Sequence, residues 1–341
     1  MPRRSSNSPP TTQPIEEQAS IGRISAPVAD ELAQVEEFLA SVWEETPNPA
    51  LSRLVRHILA AGGKKLRPLL TLLCASVHSP VDSRAVKVAA AIEILHAATL
   101  IHDDVIDHAY VRRGLPTANS MWSNNLAVLS GDYLFAKCSH VVAQLGDPAL
   151  VRILARTVMR MVASETTQFS DVAYVERLED EYYRKVQGKT ASLLELCCDG
   201  GGLVGGASEE EQRALRTYGE NLGVAFQIVD DILDIAGTEA ELGKPVGGDL
   251  REGTITLPIV FFLRSNPKHA ALTTLLKQEA DNDTIVWEAV EAIRTSGAID
   301  LAYSKARQFG QQARSALIDL PSGVSRDSLD MLIDYVVERR Q

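Results

Sequence analysis

Basic residues, aromatic residues and paired cysteines are all scarce in this sequence. Its 341 residues include 34 Lys and Arg against 45 Asp and Glu, which gives a formal net charge of −11. A nucleic-acid binder needs a basic face to neutralise phosphates, so this balance excludes that class of protein. Aromatic residues make up only 5% of the chain. The abundance of Ala and Leu favours helices, because these residues lose little side-chain entropy there.

The few cysteines also limit the possible classes. Cys74, Cys138, Cys197 and Cys198 are too scattered for a disulfide framework and lack the paired spacing of a zinc site, so they favour a reducing cytoplasm. The N-terminus has no apolar stretch typical of a secretory signal. We expect residues 1–24 to form a disordered tail and residues 25–341 to form one domain. We expect the most apolar window, Val86 to Ile101, to be too short and too polar for a membrane span, and it predicts a buried helix.

Helix-period apolar patterns alternate with short Gly, Pro and Asn turns from about residue 27, and no run alternates with period two. The fold class predicted is therefore all-α. Asn48 and Asp82 are expected to cap two helices, the second extending to about His108. Further helices are predicted at about 123–145, 148–170, 176–187, 189–204, 208–236, 255–265, 283–295, 298–318 and 326–339. The glycine-rich segment 237–253 has the length of a functional loop.

Two aspartate triplets are the strongest chemical feature of the sequence. They are Asp103, Asp104 and Asp107, and Asp230, Asp231 and Asp234. Carboxylates four residues apart project from the same side of a helix and repel each other. Among apolar neighbours they destabilise the helix unless a cation neutralises them. Such oxygen ligands favour Mg²⁺ shared with phosphate oxygens; the alternative is that each triplet is a solvated helix face.

Two small basic clusters lie near the first triplet in the sequence. They are Gly62-Gly63-Lys64-Lys65-Leu66-Arg67 and Arg112-Arg113-Gly114. Glycine lets a backbone approach an anion closely, Lys supplies a point charge and Arg supplies a bidentate fork for phosphate oxygens. Because metal-bridged diphosphates need cations as well as metal ligands, the combination indicates phosphorylated substrates.

Two other kinds of phosphate or metal site are disfavoured. A P-loop kinase requires a glycine-rich motif after a strand, and Gly188-Lys189-Thr190 lacks the leading glycine. A di-iron bundle requires two E-x-x-H motifs, and only Glu93-Ile-Leu-His96 has that pattern.

The motifs of the chain resemble those of the trans-isoprenyl diphosphate synthases, or polyprenyl synthetases. The similar stretches are GGKKLRP at 62–68, EILHAATLIHDDVIDHAYVRRGLPT at 93–117, QGKTASLL at 187–194, FQIVDDILDIAG at 226–237 and GKPVGGDLREGTITLP at 243–258. They occur in the family's order, and the resemblance covers nearly all of the chain after about residue 27.

The resemblance implies a single-domain helical bundle of the isoprenoid synthase type around a central active-site cavity, in a homodimer. It also implies head-to-tail transfer, in which isopentenyl diphosphate is condensed onto an allylic prenyl diphosphate with Mg²⁺ as cofactor. No nucleic acid and no integral membrane contact is expected.

Site roles are carried over by motif position. The catalytic residues would be Asp103, Asp104, Asp107, Asp230, Asp231 and Lys189, and the metal ligands would be Asp103, Asp107, Asp230, Asp231 and Asp234. Isopentenyl diphosphate would be bound by Lys64, Arg67, His96 and Arg113. The allylic diphosphate would be bound by Arg112, Lys189 and Lys244. Thr190 and Gln227 would lie near the developing cation.

Two sequence details refine this interpretation. In the family, bulky residues one turn before the first triplet stop chain growth, and here that turn holds the small Ala98 together with Thr99. We therefore predict a long product, roughly hexaprenyl to decaprenyl diphosphate. The segment Arg251-Glu252-Gly253-Thr254 departs from the family because it lacks a lysine that many relatives carry, which increases the expected importance of Lys244.

Three alternatives remain within or near this fold. The first is a short-chain synthase that makes farnesyl or geranylgeranyl diphosphate. The second is a non-catalytic partner subunit, which would have no need of the intact carboxylates and basic residues. The third is a terpene cyclase, which the second anion site at residues 62–68 disfavours.

Overall fold

The computed structural model describes residues 15–60, 64–112, 114–167, 169, 174–238, 246–277 and 282–339. The α-helices in these ranges are α1 Ile15–Ser25, α2 Ala29–Glu44, α3 Pro49–Leu59, α4 Leu66–Ala75, α5 Ser83–Ile106, α6 Ala118–Met121, α7 Asn124–Gln144, α8 Pro148–Glu165, α9 Val175–Val186, α10 Ser192–Val204, α11 Glu209–Ala236, α12 Gly248–Arg251, α13 Leu257–Ser265, α14 Ala270–Leu276, α15 Asp283–Arg294, α16 Ala298–Ala316 and α17 Val324–Glu338. Short 3₁₀ segments lie at Ala26–Val28 and Leu317–Asp319. A π turn, Gln187–Ala191, joins α9 to α10. The all-α prediction is confirmed.

Local capping explains where several helices begin. The Asn48 side chain accepts hydrogen bonds from the amides of Ala50 and Leu51 at the start of α3. Asp82 does the same for Arg84 and Ala85 at the start of α5. Each cap satisfies amides that have no partner within the first helical turn, so both helices begin where the sequence predicts.

The long helix α5 is the core helix of the bundle. By length and composition alone it could cross a membrane, so the expectation that this segment is too short and too polar to do so is wrong. However, 67% of its most apolar window is buried within the protein. The core helices of globular proteins have this property, and the prediction of a buried helix is correct.

Three local features differ from expectation. Residues 15–24, expected in a disordered tail, form most of α1, which packs against α17 and buries Ile24. A two-residue hairpin pairs β1 Val111–Arg112 with β2 Leu115–Pro116. Helix α8 ends at Glu165 and not near residue 170, and the hydroxyls of Thr166 and Thr167, which follow it, both donate to the Ala163 carbonyl oxygen.

The apolar core consists of two clusters that share α11. Leu222 belongs to the first cluster, with α4, α5 and α7, whereas Ile228 belongs to the second, with α13, α15 and α16. Helix α10 packs against both α5 and α11, and the π turn packs against α8 and α11. These contacts hold the two aspartate-bearing helices around one shared element.

Candidate active site

The first aspartate triplet lies at the C-terminal end of α5. The Asp107 amide donates to the Asp103 carbonyl oxygen over 2.8 Å, so the two residues are one turn apart on the same side. Asp103 is partly buried and Asp107 is exposed, whereas Asp104 points inward and is 2% exposed. Two carboxylates of the triplet therefore face an accessible surface and the third belongs to the interior.

Asp104 is paired with Arg112 of the β1 strand. Arg112 Nε donates to Asp104 Oδ1 over 2.6 Å. Burial raises the pKa of Asp104 and outweighs the opposite effect of Arg112. Arg112, which the sequence assigns to the allylic diphosphate, is thus held beside the triplet by Asp104. Arg113 lies outside the described residues.

Lys189 approaches the first triplet from the π turn. Its Nζ atom lies 3.9 Å from Asp103 Oδ2 and 2.7 Å from Glu165 Oε2 of α8. Burial raises the pKa of Asp103, and Lys189 opposes that shift only in part. Burial lowers the pKa of Lys189, but Asp103 and Glu165 raise it more, so the ammonium group stays protonated. A fixed positive charge therefore stands at the first triplet.

Two close approaches hold the π turn Gln187–Ala191 in place. A Cβ atom on Gly188 would lie 2.4 Å from Ser164 Cβ of α8, and a Cβ atom on Gly223 of α11 would lie 2.5 Å from Ala191 Cα. Only glycine allows these helices to pack so closely. Single π turns inside helices are frequent at functional sites, and this one is clamped between α8 and α11.

The second triplet lies near the end of α11 and includes a buried carboxylate, Asp231. Tyr182 of α9 donates its hydroxyl to Asp231 Oδ2 over 2.6 Å, and Gln227 Nε2 donates to Asp231 Oδ1 over 2.8 Å. Burial raises the pKa of Asp231 to about 7, although both hydrogen bonds lower it. Asp231, predicted to be a metal ligand, thus has a donor on each oxygen.

Two hydrogen bonds and an ion pair connect the two triplets through the π turn. Thr190 donates its hydroxyl to Gln227 Oε1 over 2.7 Å, and Gln227 in turn bonds Asp231. The preceding residue, Lys189, reaches Asp103. Consecutive residues of the turn therefore touch both aspartate motifs, so the two motifs lie at one site.

Asp234, the last aspartate of the second triplet, anchors the segment that follows. It is buried, and its Oδ2 atom accepts the Asp249 amide over 3.0 Å. Lys244 lies outside the described residues. Arg251 pairs with the exposed Asp283 over 2.7 Å and is directed toward α15.

The basic cluster of residues 64–67 begins α4. Lys64 Nζ lies 5.4 Å from the centre of the Tyr335 ring of α17, a cation–π distance. Arg67 lies in the first turn of α4, and His96 is partly buried on α5, two turns before Asp103. The structure places these three predicted ligands of isopentenyl diphosphate on packed helices, and their convergence on a diphosphate stays a prediction.

The carboxylates form no closed metal cage: within the described ranges, no three His, Cys, Asp or Glu side chains come together as a metal-binding group. Mg²⁺ is usually held by one or two carboxylates, with water and substrate phosphate oxygens completing its shell. Asp103, Asp107 and Asp230 present accessible oxygens at this site. The donor set fits Mg²⁺ that is shared with a bound diphosphate.

Comparison with known proteins agrees with this geometry. Residues 48–293 match the Polyprenyl synthetase family. The chain belongs to the polyprenyl synthetase family. A nonaprenyl diphosphate synthase of Mycobacterium tuberculosis is 41% identical, over 92% of this chain and 94% of the relative. Heptaprenyl diphosphate synthase component 2 of Geobacillus stearothermophilus is 37% identical, over 92% of this chain and 97% of that relative.

A solved structure has the same fold. The polyprenyl synthase of Caulobacter crescentus, complexed with calcium and isoprenyl diphosphate, superimposes with a TM-score of 0.88 at 33% identity, covering 94% of this chain and 98% of the other. Membership in this family confirms the helical-bundle fold and the predicted enzyme class, a prenyltransferase.

The residues expected to govern product length in a polyprenyl synthetase lie on α5, about one helical turn before the first aspartate triplet. Ala98 is 2% exposed. Thr99 is partly buried and donates its hydroxyl to the His96 carbonyl oxygen over 2.8 Å. That bond returns the hydroxyl to its own helix, so neither residue places a bulky group in the space next to α5.

Three residues at the site were missed from sequence. Tyr182 lies two turns before Lys189. Its spacing matches that of the apolar residues of the helix, and this pattern predicts only that the side chain is buried. Glu165 and Arg339 carry no motif: the first pairs with Lys189, and the second donates to Asp230 Oδ1 from the far end of the chain. Only the fold brings them to the aspartates.

Proposed function

We propose that this polyprenyl synthetase condenses isopentenyl diphosphate head-to-tail onto an allylic prenyl diphosphate and releases a long-chain all-trans polyprenyl diphosphate. The observation that carries the proposal is the contact of two consecutive residues with both aspartate motifs. Lys189 lies at Asp103, and Thr190 is bonded through Gln227 to Asp231. A diphosphate at this point meets acidic metal ligands and a fixed ammonium group together.

The chain's own residues position and stabilise the reacting groups. Lys189 and Arg112, held by Glu165 and Asp104, place positive charge where the allylic diphosphate leaves with the electron pair of its C–O bond. The double bond of isopentenyl diphosphate then attacks the allylic cation. The released diphosphate takes a proton from the resulting cation, which restores a double bond, and the product is five carbons longer.

Magnesium is the cofactor that we propose. Asp103, Asp107 and Asp230 would hold it, and bound Mg²⁺ would offset the charge that develops on the leaving diphosphate. Asp231 and Asp234 are buried and hydrogen-bonded. Their proposed part is to hold α11 and the segment after it in position.

A long product, roughly hexaprenyl to decaprenyl, is supported by the small side chain at Ala98. A larger residue there would stand in the path of the growing chain. The alternatives of a short-chain synthase and a non-catalytic partner subunit are not favoured. A non-catalytic partner subunit would not need both aspartate motifs and their cationic partners.

We also propose a homodimer. Each of the adjacent helices α7 and α8 presents an apolar stripe at helical spacing: Val128 and Phe135 on α7, and Val151, Met159 and Val162 on α8, of which Met159 is 70% exposed. Exposed apolar surface of this kind is typical of a protein interface.

The oligomeric state is measurable by light scattering after gel filtration. The wild-type chain should elute as a dimer, and a Phe135→Glu, Met159→Glu double variant as a monomer. Leu301→Glu, at an exposed position on α16, is the control and should stay dimeric. Because a relative is named as a component 2, the purified chain should also be assayed alone, since activity without a second protein would exclude the need for one.

The cytoplasm is the location that we propose. All four cysteines are free and buried, which suits a reducing compartment.

Product analysis tests the main proposal. The purified chain is incubated with Mg²⁺, radiolabelled isopentenyl diphosphate and farnesyl diphosphate, and the dephosphorylated products are separated by length. We expect incorporation into long polyprenols. A single short product would contradict the long-chain assignment, and no incorporation would contradict prenyl transfer.

Variants connect this activity to the site. Asp103→Asn and Asp230→Asn should each lower turnover by orders of magnitude while the helical circular dichroism signal is retained. Asp180→Asn, at an exposed position on α9, should leave turnover unchanged. Equal activity in all three variants would place the chemistry elsewhere.

A further inference from the structure

The guanidinium group of Arg339 occupies the most accessible carboxylate of the second motif. Arg339 follows α17 directly, and its side chain is only 7% exposed. Its Nη2 atom donates to Asp230 Oδ1 over 2.6 Å and to the Phe226 carbonyl oxygen over 2.7 Å. The guanidinium carbon lies 3.9 Å from the centre of the Phe226 ring. Arg339 is thus anchored by an ion pair, a backbone carbonyl and an aromatic face.

This ion pair uses one of the two oxygens through which Asp230 would bind a metal ion. Asp230 Oδ1 accepts a short, charge-assisted hydrogen bond. A divalent cation on the same oxygen would stand next to the guanidinium group, and two unscreened positive charges at that range repel strongly. Occupation by Arg339 and occupation by metal are therefore competing states of Asp230.

We propose that Arg339 is a built-in counter-cation of the second aspartate motif, which holds Asp230 in the metal-free enzyme and must leave it before a divalent ion is bound there. This inference rests on the proposed metal-binding function of the motif. The inference makes the end of α17 a determinant of metal affinity. The ion pair between Arg339 and Asp230 weakens metal binding at Asp230, and bound metal weakens the ion pair by the same factor.

A cavity next to Arg339 has room for the side chain after it leaves Asp230. A cavity of about 470 Å³ lies between α16 and α17 and has Arg339 in its wall. Arg307 and Arg314 line it together with Asp334 and Glu338. Asp334 is already paired with Arg314 over 2.7 Å, so Glu338 is the acidic side chain that the released guanidinium group would meet. Arg339 therefore has open volume beside it, with one carboxylate that no other arginine in the described ranges is shown to hold, outside the motif.

The same part of α17 also contacts the other predicted substrate site. Tyr335, in the last turn of α17 and four residues before Arg339, carries Lys64 over its ring at 5.4 Å. Lys64 is one of the four residues expected to bind isopentenyl diphosphate. The last turn of α17 and the residue that follows it thus contact both a predicted substrate ligand and a predicted metal ligand.

Direct metal binding tests the inference without catalysis. Full-length protein is stripped of metal and titrated with Mn²⁺ in the absence of substrate, and free Mn²⁺ is measured by electron paramagnetic resonance. We expect Arg339→Gln to bind Mn²⁺ about fivefold more tightly than wild type or better, within the usual range for coupled sites. Arg339→Lys, which keeps the charge, should stay close to wild type.

Two further variants separate this role from a structural one. Arg307→Gln changes an exposed arginine in the same cavity wall and should leave Mn²⁺ affinity unchanged. Adding Asp230→Asn should remove the gain of Arg339→Gln. A purely structural role would lower the melting temperature of Arg339→Gln and leave its metal affinity equal or weaker, which would overturn the inference.

Absence of Mn²⁺ binding in both wild type and Arg339→Gln would also overturn it, because Arg339 would then not limit binding. The prenyl-transfer assay distinguishes the two proposals. If the wild type transfers prenyl groups but Arg339→Gln has the wild-type Mn²⁺ affinity, only the role of Arg339 is refuted. If the wild type shows no prenyl transfer, the proposed function is refuted.

Discussion

Tyr182 donates its hydroxyl hydrogen to Asp231 over 2.6 Å in the interior of the bundle, where each residue is 3% exposed. Burial, and then the charge of Asp231, raise the pKa of Tyr182, so the phenol remains a neutral donor. A buried carboxylate that loses such a donor is left poorly solvated, at a cost of about 1–3 kcal/mol. The bond therefore matters for both stability and site geometry.

Replacement of Tyr182 by Phe should consequently lower both the melting temperature and kcat. We expect a loss of about 1–3 kcal/mol in the free energy of unfolding, measured by denaturant titration, and a lower kcat in the prenyl-transfer assay. Tyr183→Phe is a matched control, since that hydroxyl donates to Glu179, which also pairs with Arg264 and Lys305 away from the aspartates. Equal kcat in the two variants would refute a role for Tyr182 at the site.

The metal-free enzyme should lose stability as pH rises through neutrality. Burial raises the pKa of Asp231 to about 7 in the fold, from an ordinary value of 3.8. The stabilising contribution of its protonated form is complete below about pH 4 and is lost as pH rises through about 7. Melting temperatures measured with a chelator from pH 5.5 to 8 should therefore fall.

Asp231→Asn isolates that dependence, because the amide does not titrate and the Gln227 amide can rotate to bond it. The fall in melting temperature over this pH range should be smaller in Asp231→Asn than in wild type. Asp180→Asn, which alters an exposed carboxylate, should follow the wild-type curve. Parallel curves for all three proteins would show that Asp231 does not titrate in this range.

Adding a methyl group at Gly188 should disturb Lys189. The new Cβ would lie 2.4 Å from Ser164 Cβ, so α8 or the π turn must move. Overpacking of this kind costs about 1–3 kcal/mol. We expect a lower melting temperature and about a tenfold lower kcat, with Lys189 displaced from Glu165.

A second change should relieve this strain. Ser164→Gly combined with Gly188→Ala removes the crowded Cβ atom and should recover most of the lost kcat. Gly22→Ala, on α1 with open space around its Cβ position, is the neutral control. Failure of the double variant to recover activity would argue that the Gly188 contact does not position Lys189.

Enlarging Ala98 should shorten the product. In a graded series of Ser, Leu and Phe at this buried position, the mean product length should fall in that order, as more of the space next to α5 is filled. Radiolabelled products resolved by length provide the measurement. An identical product distribution across the series would show that the growing chain does not pass Ala98.

Local chemistry explains which parts of the structure could be predicted. Asn48 and Asp82 bond amides two and three residues away, and Asp103 and Asp107 share a helical face by spacing alone. These features need no knowledge of the rest of the fold. The family and the all-α class followed from such motifs and were confirmed.

Features that depend on distant packing could not be predicted. Arg339 reaches a carboxylate 109 residues earlier. Helix α1 packs on α17, at the other end of the chain. Arg112 was assigned to a substrate, but Asp104, eight residues before it, was not foreseen as its partner, because the hairpin that turns β1 back toward α5 was not predicted.

Helices α9 and α10 and the π turn between them form one continuous helical run from Val175 to Val204. A π turn contains one residue more than an α turn, so the two halves are offset by about 100° around a shared axis. Deleting one residue of the turn other than Lys189 or Thr190 would restore a regular helix and rotate Tyr182 away from α11, with every site residue still present. In this segment, chain length is under a stricter constraint than composition, so insertions and deletions should be far more damaging than substitutions.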